Sequence, residues 1–434
     1  MKTVHFKLIK KILLGLFALI ISLLIIGYIA FYFLVQTNLD YYKNELVEQI
    51  SKATNKKVTI ETFDAKWNVT NPRFIIKDFS IYANSSEKSF TFKKFEVDVS
   101  WMSLIKFELV LDQVTLYDLA VEIQKNSESD YLIGGWGVSY DPNSNDEFDG
   151  KLINWLLNQD EVQMINAKII WIDKTRTNSP PLILDDINLS YSTSHILSYL
   201  DRHLFYLDFF SSAGTKEKIS LSGHFDAGSI GELLEADGAL SFKFDALSLY
   251  AFSPWIDYPL IIKDGTGSLS INVELENGKL KKGGSSFSVQ NLNANTINND
   301  KQDLVFNDIS GEFKYKLVND DINIILDNLF LTTNSKLQFE DSAASIKYNF
   351  ETNQINKATL VIDRFDLGSV KEISNQFLPE EHRANVIINK LSAKGEIDNL
   401  KLKWARTSDG EEPSLKLKAK FLEIEINEFE SFPD

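Results

Sequence analysis

The sequence predicts a mainly β protein carried behind one apolar N-terminal helix, and three observations point there. From Lys57 onward, short runs rich in Val, Ile, Phe, Thr and Tyr are separated by clusters of Asn, Asp, Gly and Ser. Many of these runs alternate apolar and polar residues, the pattern of strands with one wet and one apolar face. Helical periodicity in the same region is confined to Met102–Lys106, Lys151–Asn158, Ser229–Glu235 and Gly368–Phe377. With so few helices to carry crossovers, antiparallel strands joined by short turns are expected rather than a parallel sheet.

The third observation is Ile12–Val35, 24 consecutive positions without a charge. At about 1.5 Å per residue, a helix of that length crosses a hydrocarbon core of about 30 Å. Lys2, Lys7, Lys10 and Lys11 precede it, and no acidic residue comes before Asp40. The positive-inside rule therefore leaves residues 1–11 in the cytoplasm, makes 12–35 a transmembrane helix and exports the remainder. A cleaved signal peptide is the alternative. Its apolar core is usually about 7–15 residues and ends at an A-x-A-like site, neither of which fits here. Tyr28, Tyr32 and Phe33 fit an interfacial aromatic belt instead. Thr37 and Asp40 have the spacing of a capping box, and Leu39, Tyr42, Leu46, Ile50 and Ala53 follow at helical spacing. Residues 37–55 are thus expected to form a short amphipathic helix lying on the membrane surface or on the first strands, with 56–434 as the β-rich body.

The chain carries 45 basic and 61 acidic residues. An acidic body repels nucleic acid, which is set aside as a partner. The absence of cysteine excludes disulfides, thiolate catalysis and Cys-ligated zinc.

Roughly twenty strands at about 4.8 Å spacing make a sheet about 90 Å long, a size at which open sheets curl or split. The apolar faces are covered either by a second sheet in a sandwich or by one curled sheet that lines a groove with them. Two strands change face partway. Leu415, Leu417, Ala419 and Phe421 point one way before Leu422, Ile424 and Ile426 take over. The same slip separates Phe90 and Phe92 from Phe95, Val97 and Val99, across Lys93-Lys94. Each slip implies a bulge or turn. Leu221–Gly228, Ile309–Leu317 and Leu391–Trp404 each open on an apolar-Ser pair followed by a small residue, a loose recurrence that suggests a sheet built from similar hairpins. Asn126–Asp149, Thr175–Pro181 and Thr407–Pro413 are expected to be the least ordered.

Little of the sequence suggests chemistry. His5, His195, His203, His224 and His382 form no short metal pattern, and no nucleophile elbow or phosphate loop is present. Gly265, Gly267, Gly283 and Gly284 read as hairpin glycines, because no helix pattern follows them. The acidic pairs Asp185-Asp186, Asp320-Asp321 and Glu411-Glu412 lack calcium-loop spacing. No catalytic residue, metal ligand or cofactor site is assigned, and the chain is not read as an enzyme. Thirty phenylalanines against three methionines leave apolar surface as the main resource.

Trp155–Tyr191 carries a more specific pattern: Trp155-Leu156-Leu157, then Gln159, a strand from Ala167 to Trp171, Pro180-Pro181-Leu182, Leu184, Asp186 and Asn188-Leu189. This segment resembles the one that marks the YhdP-like branch of the AsmA-like family, and the stretch from Lys7 onward resembles that family's opening. Beyond Tyr191 the resemblance is of texture only. Members of this branch are typically longer, so the chain reads as shortened at its C-terminus. The resemblance implies a bridge-type lipid carrier: an inner-membrane anchor, then a long curled antiparallel β-sheet forming an open apolar groove in the periplasm of a Gram-negative bacterium. It implies phospholipids and the inner membrane as partners and transport between inner and outer membrane as the function. A periplasmic scaffold for outer-membrane proteins is the alternative. On this reading Phe90, Phe92, Phe95, Val97, Val99, Phe242, Phe244, Leu415, Leu417 and Phe421 are the candidate groove-lining residues.

Overall fold

A computed structural model describes residues 17–19, 21–22, 25–54, 56–68, 71–82, 88–100, 102–103, 110–134, 136–139, 159–177, 179–197, 200–214, 217–227, 235–296, 299–318, 321–333, 338–377, 382–391, 393–406 and 413–426. Much of Ile12–Val35 therefore lies outside the described residues, as do Lys151–Asn158 and most of Ser229–Glu235. Residues 25–34 are helical. Among the described residues no helix is long and apolar enough to cross a membrane. The chain divides into two compact units, residues 1–177 with 181–195, and residues 178–180 with 196–434.

The first unit opens with helix α1, Leu39–Thr54, preceded by a 3-10 turn at Gln36–Asn38. Thr37, expected as its cap, does not cap it. Its hydroxyl instead donates to the Phe33 carbonyl at 2.8 Å. Leu46, Val47 and Ile50 pack against strands β1 (Val58–Asn68), β2 (Asn71–Tyr82) and β3 (Lys88–Val99). Beneath them Val58, Ile60, Ile76, Phe79, Ile81 and Phe92 form a closed core, in which the Phe79 and Phe92 rings stack at 4.5 Å. The helix thus docks on the first strands. Phe31 is buried against Trp67 and Phe74.

Strands β4 (Leu111–Tyr117), β5 (Ala120–Lys125), β6 (Asp130–Ile133), β7 (Trp136–Ser139), β8 (Glu161–Asp173) and β9 (Leu182–Leu197) complete this unit. The sheet is not wholly antiparallel, as β4 and β5 both run parallel to β8. This corrects the expectation from short turns. The chain between β5 and β8 is long enough to return in the same direction, and part of it, expected to be irregular, forms β6 and β7.

The second unit is a meander. Strands β10 (Leu200–Ser211), β11 (Ile219–Asp226), β12 (Asp237–Ser248), β13 (Leu260–Glu276), β14 (Lys279–Thr296), β15 (Asn299–Val318), β16 (Asp321–Thr333), β17 (Gln338–Asn349), β18 (Gln354–Asp366), β19 (Lys394–Ala405) and β20 (Ser414–Glu425) each pair antiparallel with the next. Short helix α2, Leu249–Phe252, follows β12, with the Ser248 hydroxyl accepting from the Ala251 N–H as its cap. Between β18 and β19 lie α3, Leu367–Phe377, and α4, Arg383–Leu391. The first matches the expected Gly368–Phe377. The second lies where no helix was expected, and its Val386-Ile387-Ile388 run is β-branched. Tertiary contact overrides that propensity: buried Asn385 accepts from the Ser374 hydroxyl of α3 at 3.0 Å, and Asn389 Nδ2 donates to Asn375 Oδ1 of α3 at 2.5 Å.

One local device recurs in both units. An apolar residue, any residue, a residue with φ between 48° and 55°, and a second apolar residue follow each other within a strand. The sets are Ile76, Asp78, Phe79 in β2; Met164, Asn166, Ala167 in β8; Leu184, Asp186, Ile187 in β9; Phe244, Ala246, Leu247 in β12; Val289, Asn291, Leu292 in β14; Leu326, Asn328, Leu329 in β16; Ile397, Asn399, Leu400 in β19; and Phe421, Glu423, Ile424 in β20. The left-handed residue adds one position to the strand, so side chains three apart share a face. Asn and Asp tolerate that conformation best and supply six of the eight. Both slips seen in the sequence fall at such positions, Glu423 next to Phe421-Leu422 and Asp78 on β2 opposite Lys93-Lys94.

Replacing Phe92 with Asp is expected to destabilise the first unit by about 4 kcal/mol or more, since it leaves an unpaired carboxylate in a closed core. Chemical denaturation followed by circular dichroism measures this. In the second unit, Arg202 meets Asp226 directly across β10 and β11 through two hydrogen bonds of 2.7 Å. These bonds hold the Asp226 carboxyl below its ordinary range. A depressed carboxylate stabilises the fold above the unfolded pKa of about 3.9 and loses that contribution as pH falls through the folded value. Asp226→Asn is therefore expected to flatten the loss of thermal stability below about pH 4, read from melting curves across an acid series.

Candidate functional site

Cross-strand register turns the alternation of the second unit into two continuous rows. The first runs Leu207, Leu221, Phe242, Ile271, Ser285, Phe313, Leu326, Ala344, Leu360, Leu402, Leu417, each residue directly opposite the next. The second, two residues along every strand, runs Phe205, Gly223, Leu240, Val273, Gly283, Tyr315, Ile324, Ile346, Ala358, Trp404, Leu415. Eleven strands at about 4.8 Å make each row about 48 Å long, measured along the sheet. None of the 22 positions is buried: most are half-buried, and Ile346, Leu415 and Leu417 are 38%, 65% and 62% exposed.

The row between them points the other way and is mainly polar: Tyr206, Ser222, Ser241, Asn272, Gly284, Lys314, Ile325, Ser345, Thr359, Lys403 and Lys416. That face also carries ion pairs, among them Lys282–Glu274 at 2.9 Å and Lys347–Asp321 at 2.7 Å. Salt bridges this exposed contribute little stability and mainly keep the face wet. The closed packing of this unit lies elsewhere. Ile262, Leu292, Ala294, Leu304 and Phe306 form a core beyond the bulge at Asn291. The two rows are thus an apolar face left half open beside a core that holds the strands.

Three glycines shape this face. Gly223 lies opposite Phe205, Gly283 opposite Tyr315 and Gly311 opposite Phe287. A Cβ at these glycines would stand 3.1 Å from Phe205 Cζ, 2.7 Å from Tyr315 Cε1 and 3.0 Å from Phe287 Cζ. Each ring therefore lies down across its neighbour's backbone. Two of these glycines are the small residues after the apolar-Ser pairs of Leu221–Gly228 and Ile309–Leu317.

The ten candidate lining residues separate into two environments. Phe242 belongs to the first row and Phe244 follows it on the same face, their rings 5.8 Å apart. Leu415 and Leu417 end the two rows on β20, and Phe421 on the same strand is 58% exposed. The other five lie in the first unit. Phe92 is part of the closed core under α1, with Phe90 and Phe95 packed against it. Val97 is buried with Leu111, Val114 and Val162, and Val99 packs against that cluster. Alternation alone could not separate these two sets, because it does not reveal what covers a face. Phe205, Leu207, Phe313, Ile324, Leu360 and Leu402 were missed for the complementary reason: their common row exists only once register is fixed.

Among the described residues titratable groups build no second site. His203 is buried and its Nε2 lies 2.7 Å from the Ala227 carbonyl, while His224 lies on the polar face. Lys168 lies 3.5 Å from Asp185, and the Asp186 of the same acidic pair is a bulge residue. Among the described residues no group of three or more His, Asp or Glu could hold a metal ion. The motif residues Asp186 and Asn188 are structural. Asn188 Oδ1 accepts from the Asn166 N–H at 3.1 Å and Asn188 Nδ2 donates to the Asp186 carbonyl at 3.0 Å, tying together the paired bulges of β8 and β9.

A family model described as YhdP protein matches residues 1–434. The chain belongs to the YhdP family. Membership suggests a bridge-like lipid-transport protein. No curated protein matches the chain.

A single charge in the rows should act differently from one in the core. Leu360→Lys is expected to leave the fold and its melting temperature nearly unchanged, since a half-exposed lysine can reach water. It should lower binding of an apolar fluorescent probe severalfold, read by titration of the purified chain.

Proposed function

We propose that this chain carries phospholipid between the inner and outer membranes of a Gram-negative bacterium, with acyl chains lying along the two apolar rows of β10–β20. The observation that supports the reading most directly is the continuity of those rows over eleven strands without a buried member. A sandwich core of this length would bury both rows. A half-open face instead leaves room for hydrocarbon, and each methylene moved from water onto it contributes about 0.8 kcal/mol. Because that contribution is nearly uniform along a row, a chain can shift by one strand without losing much contact. The work requires no catalytic group, and none is assigned.

The anchor belongs to the same proposal. Ile12–Val35 spans the inner membrane with residues 1–11 in the cytoplasm, and the body is periplasmic. Helix α1, tied to β1 by Lys43 donating to the Glu61 carbonyl at 2.6 Å, sets the first strands close to the membrane exit of that anchor.

The test is purification of the full chain from membranes in mild detergent, followed by lipid extraction and mass spectrometry. Phospholipid is expected to co-purify at a fixed ratio to protein and to fall severalfold in Leu360→Lys. A chain recovered free of phospholipid, but crosslinked in cells to outer-membrane barrel proteins, would replace this reading with that of an assembly scaffold.

A further inference from the structure

The two apolar rows carry two hydroxyls, and the register makes them neighbours. Ser285 on β14 faces Phe313 on β15, and Tyr315 stands two residues further along β15, opposite Gly283. Every other member of the first row is a hydrocarbon side chain, and the second row has no other hydroxyl. Among the described residues the Tyr315 hydroxyl is buried without a hydrogen-bond partner, and Ser285 is half-buried on the same face. Phenylalanine would fill the same place against Gly283. A buried hydroxyl without a partner is unfavourable, so the Tyr315 oxygen gains when something accepts its proton.

Lys281, two residues before Gly283 on β14, is held by Glu276 at 2.5 Å. Lys282, Lys314 and Lys316 alternate onto the opposite face. Burial also raises the pKa of Tyr315, which therefore stays protonated as a donor. Two neutral O–H donors without a positive charge suit a neutral acceptor rather than a phosphate, which calls for cations. A carbonyl oxygen has two lone pairs and can take both. Because Gly283 presents no side chain, the Tyr315 ring can lift from its seat without displacing a neighbour on β14.

We propose that Ser285 and Tyr315 form a polar station on the apolar face that receives the ester carbonyl of a glycerolipid, fixing where the glycerol end rests while its acyl chain extends along the rows. This rests on the lipid-carrying reading above. It adds a resting position to a face otherwise uniform in character, and makes β14–β15 the place where a moving lipid pauses.

The experiment uses the full chain in detergent micelles, loaded with an equal mixture of dioleoyl phosphatidylethanolamine and its diether analogue, which lacks both carbonyls. Bound lipid is then quantified by mass spectrometry. The unaltered chain is expected to favour the ester lipid about tenfold, as two neutral hydrogen bonds allow. Tyr315→Phe and Ser285→Ala should each reduce that ratio, and the double variant should bring it near one. Tyr348→Phe, whose hydroxyl already bonds Asn353, should leave the ratio unchanged. Equal binding of both lipids by the unaltered chain overturns the station while leaving lipid carriage intact. So does an equal loss of both lipids in the variants, the signature of a structural or phosphate-binding role. Binding of neither lipid overturns the lipid reading itself.

Discussion

Eight of the described strands change pattern partway and still keep one face apolar. Regular alternation cannot deliver both, since one added residue turns the rest of the strand over. The left-handed residue set between two apolar residues resolves the conflict. It absorbs the extra position, raises the local twist and returns the next apolar side chain to the same face. Without it, Leu292 would leave the core that it forms with Ile262 and Phe306, and Ile397 would drop out of line with Leu400. The hydrophobic cores, the half-open rows and the separation between them all depend on that one backbone conformation.

Strands are also divided by what covers them. On β2 and β3 the apolar side chains meet α1 and close into a core. On β10–β20 the side chains of the two rows meet no covering layer among the described residues. The same residue types thus serve two ends. Phe92 stacks on Phe79 and is lost to solvent, whereas Phe242 remains half accessible beside Phe244. Glycine adds a second distinction. Where it opposes Phe205, Phe287 or Tyr315, the ring reclines, and the face stays shallow where upright side chains would otherwise crowd it.

Much of this was legible in the sequence, but unevenly. Period-two alternation marked the strands, and the breaks at Lys93-Lys94 and Phe421-Leu422 marked two of the bulges, because a change of face leaves a trace in the order of apolar residues. The apolar-Ser-Gly recurrence was visible too, though its meaning needed the opposing aromatic residue. Other features depend on partners distant in the chain. The parallel pairing of β4 and β5 with β8 has no local signature. Helix α4 was concealed by its Val386-Ile387-Ile388 run and is held by Asn385 and Asn389 against α3. The rows themselves are a property of register, which a single strand does not contain. Phe92 and Phe244 read alike in sequence for that reason, and only packing separates them.

The meander has one further consequence. In the second unit each strand pairs with its successor, and the rows run at right angles to the strands. The reach of the apolar face is therefore counted in hairpins. Inserting or deleting one hairpin with matching alternation changes the length by about 10 Å and leaves every other strand with neighbours of the same kind. Span in such an architecture is an evolutionary dial with discrete settings, one that can be turned without redesigning a core.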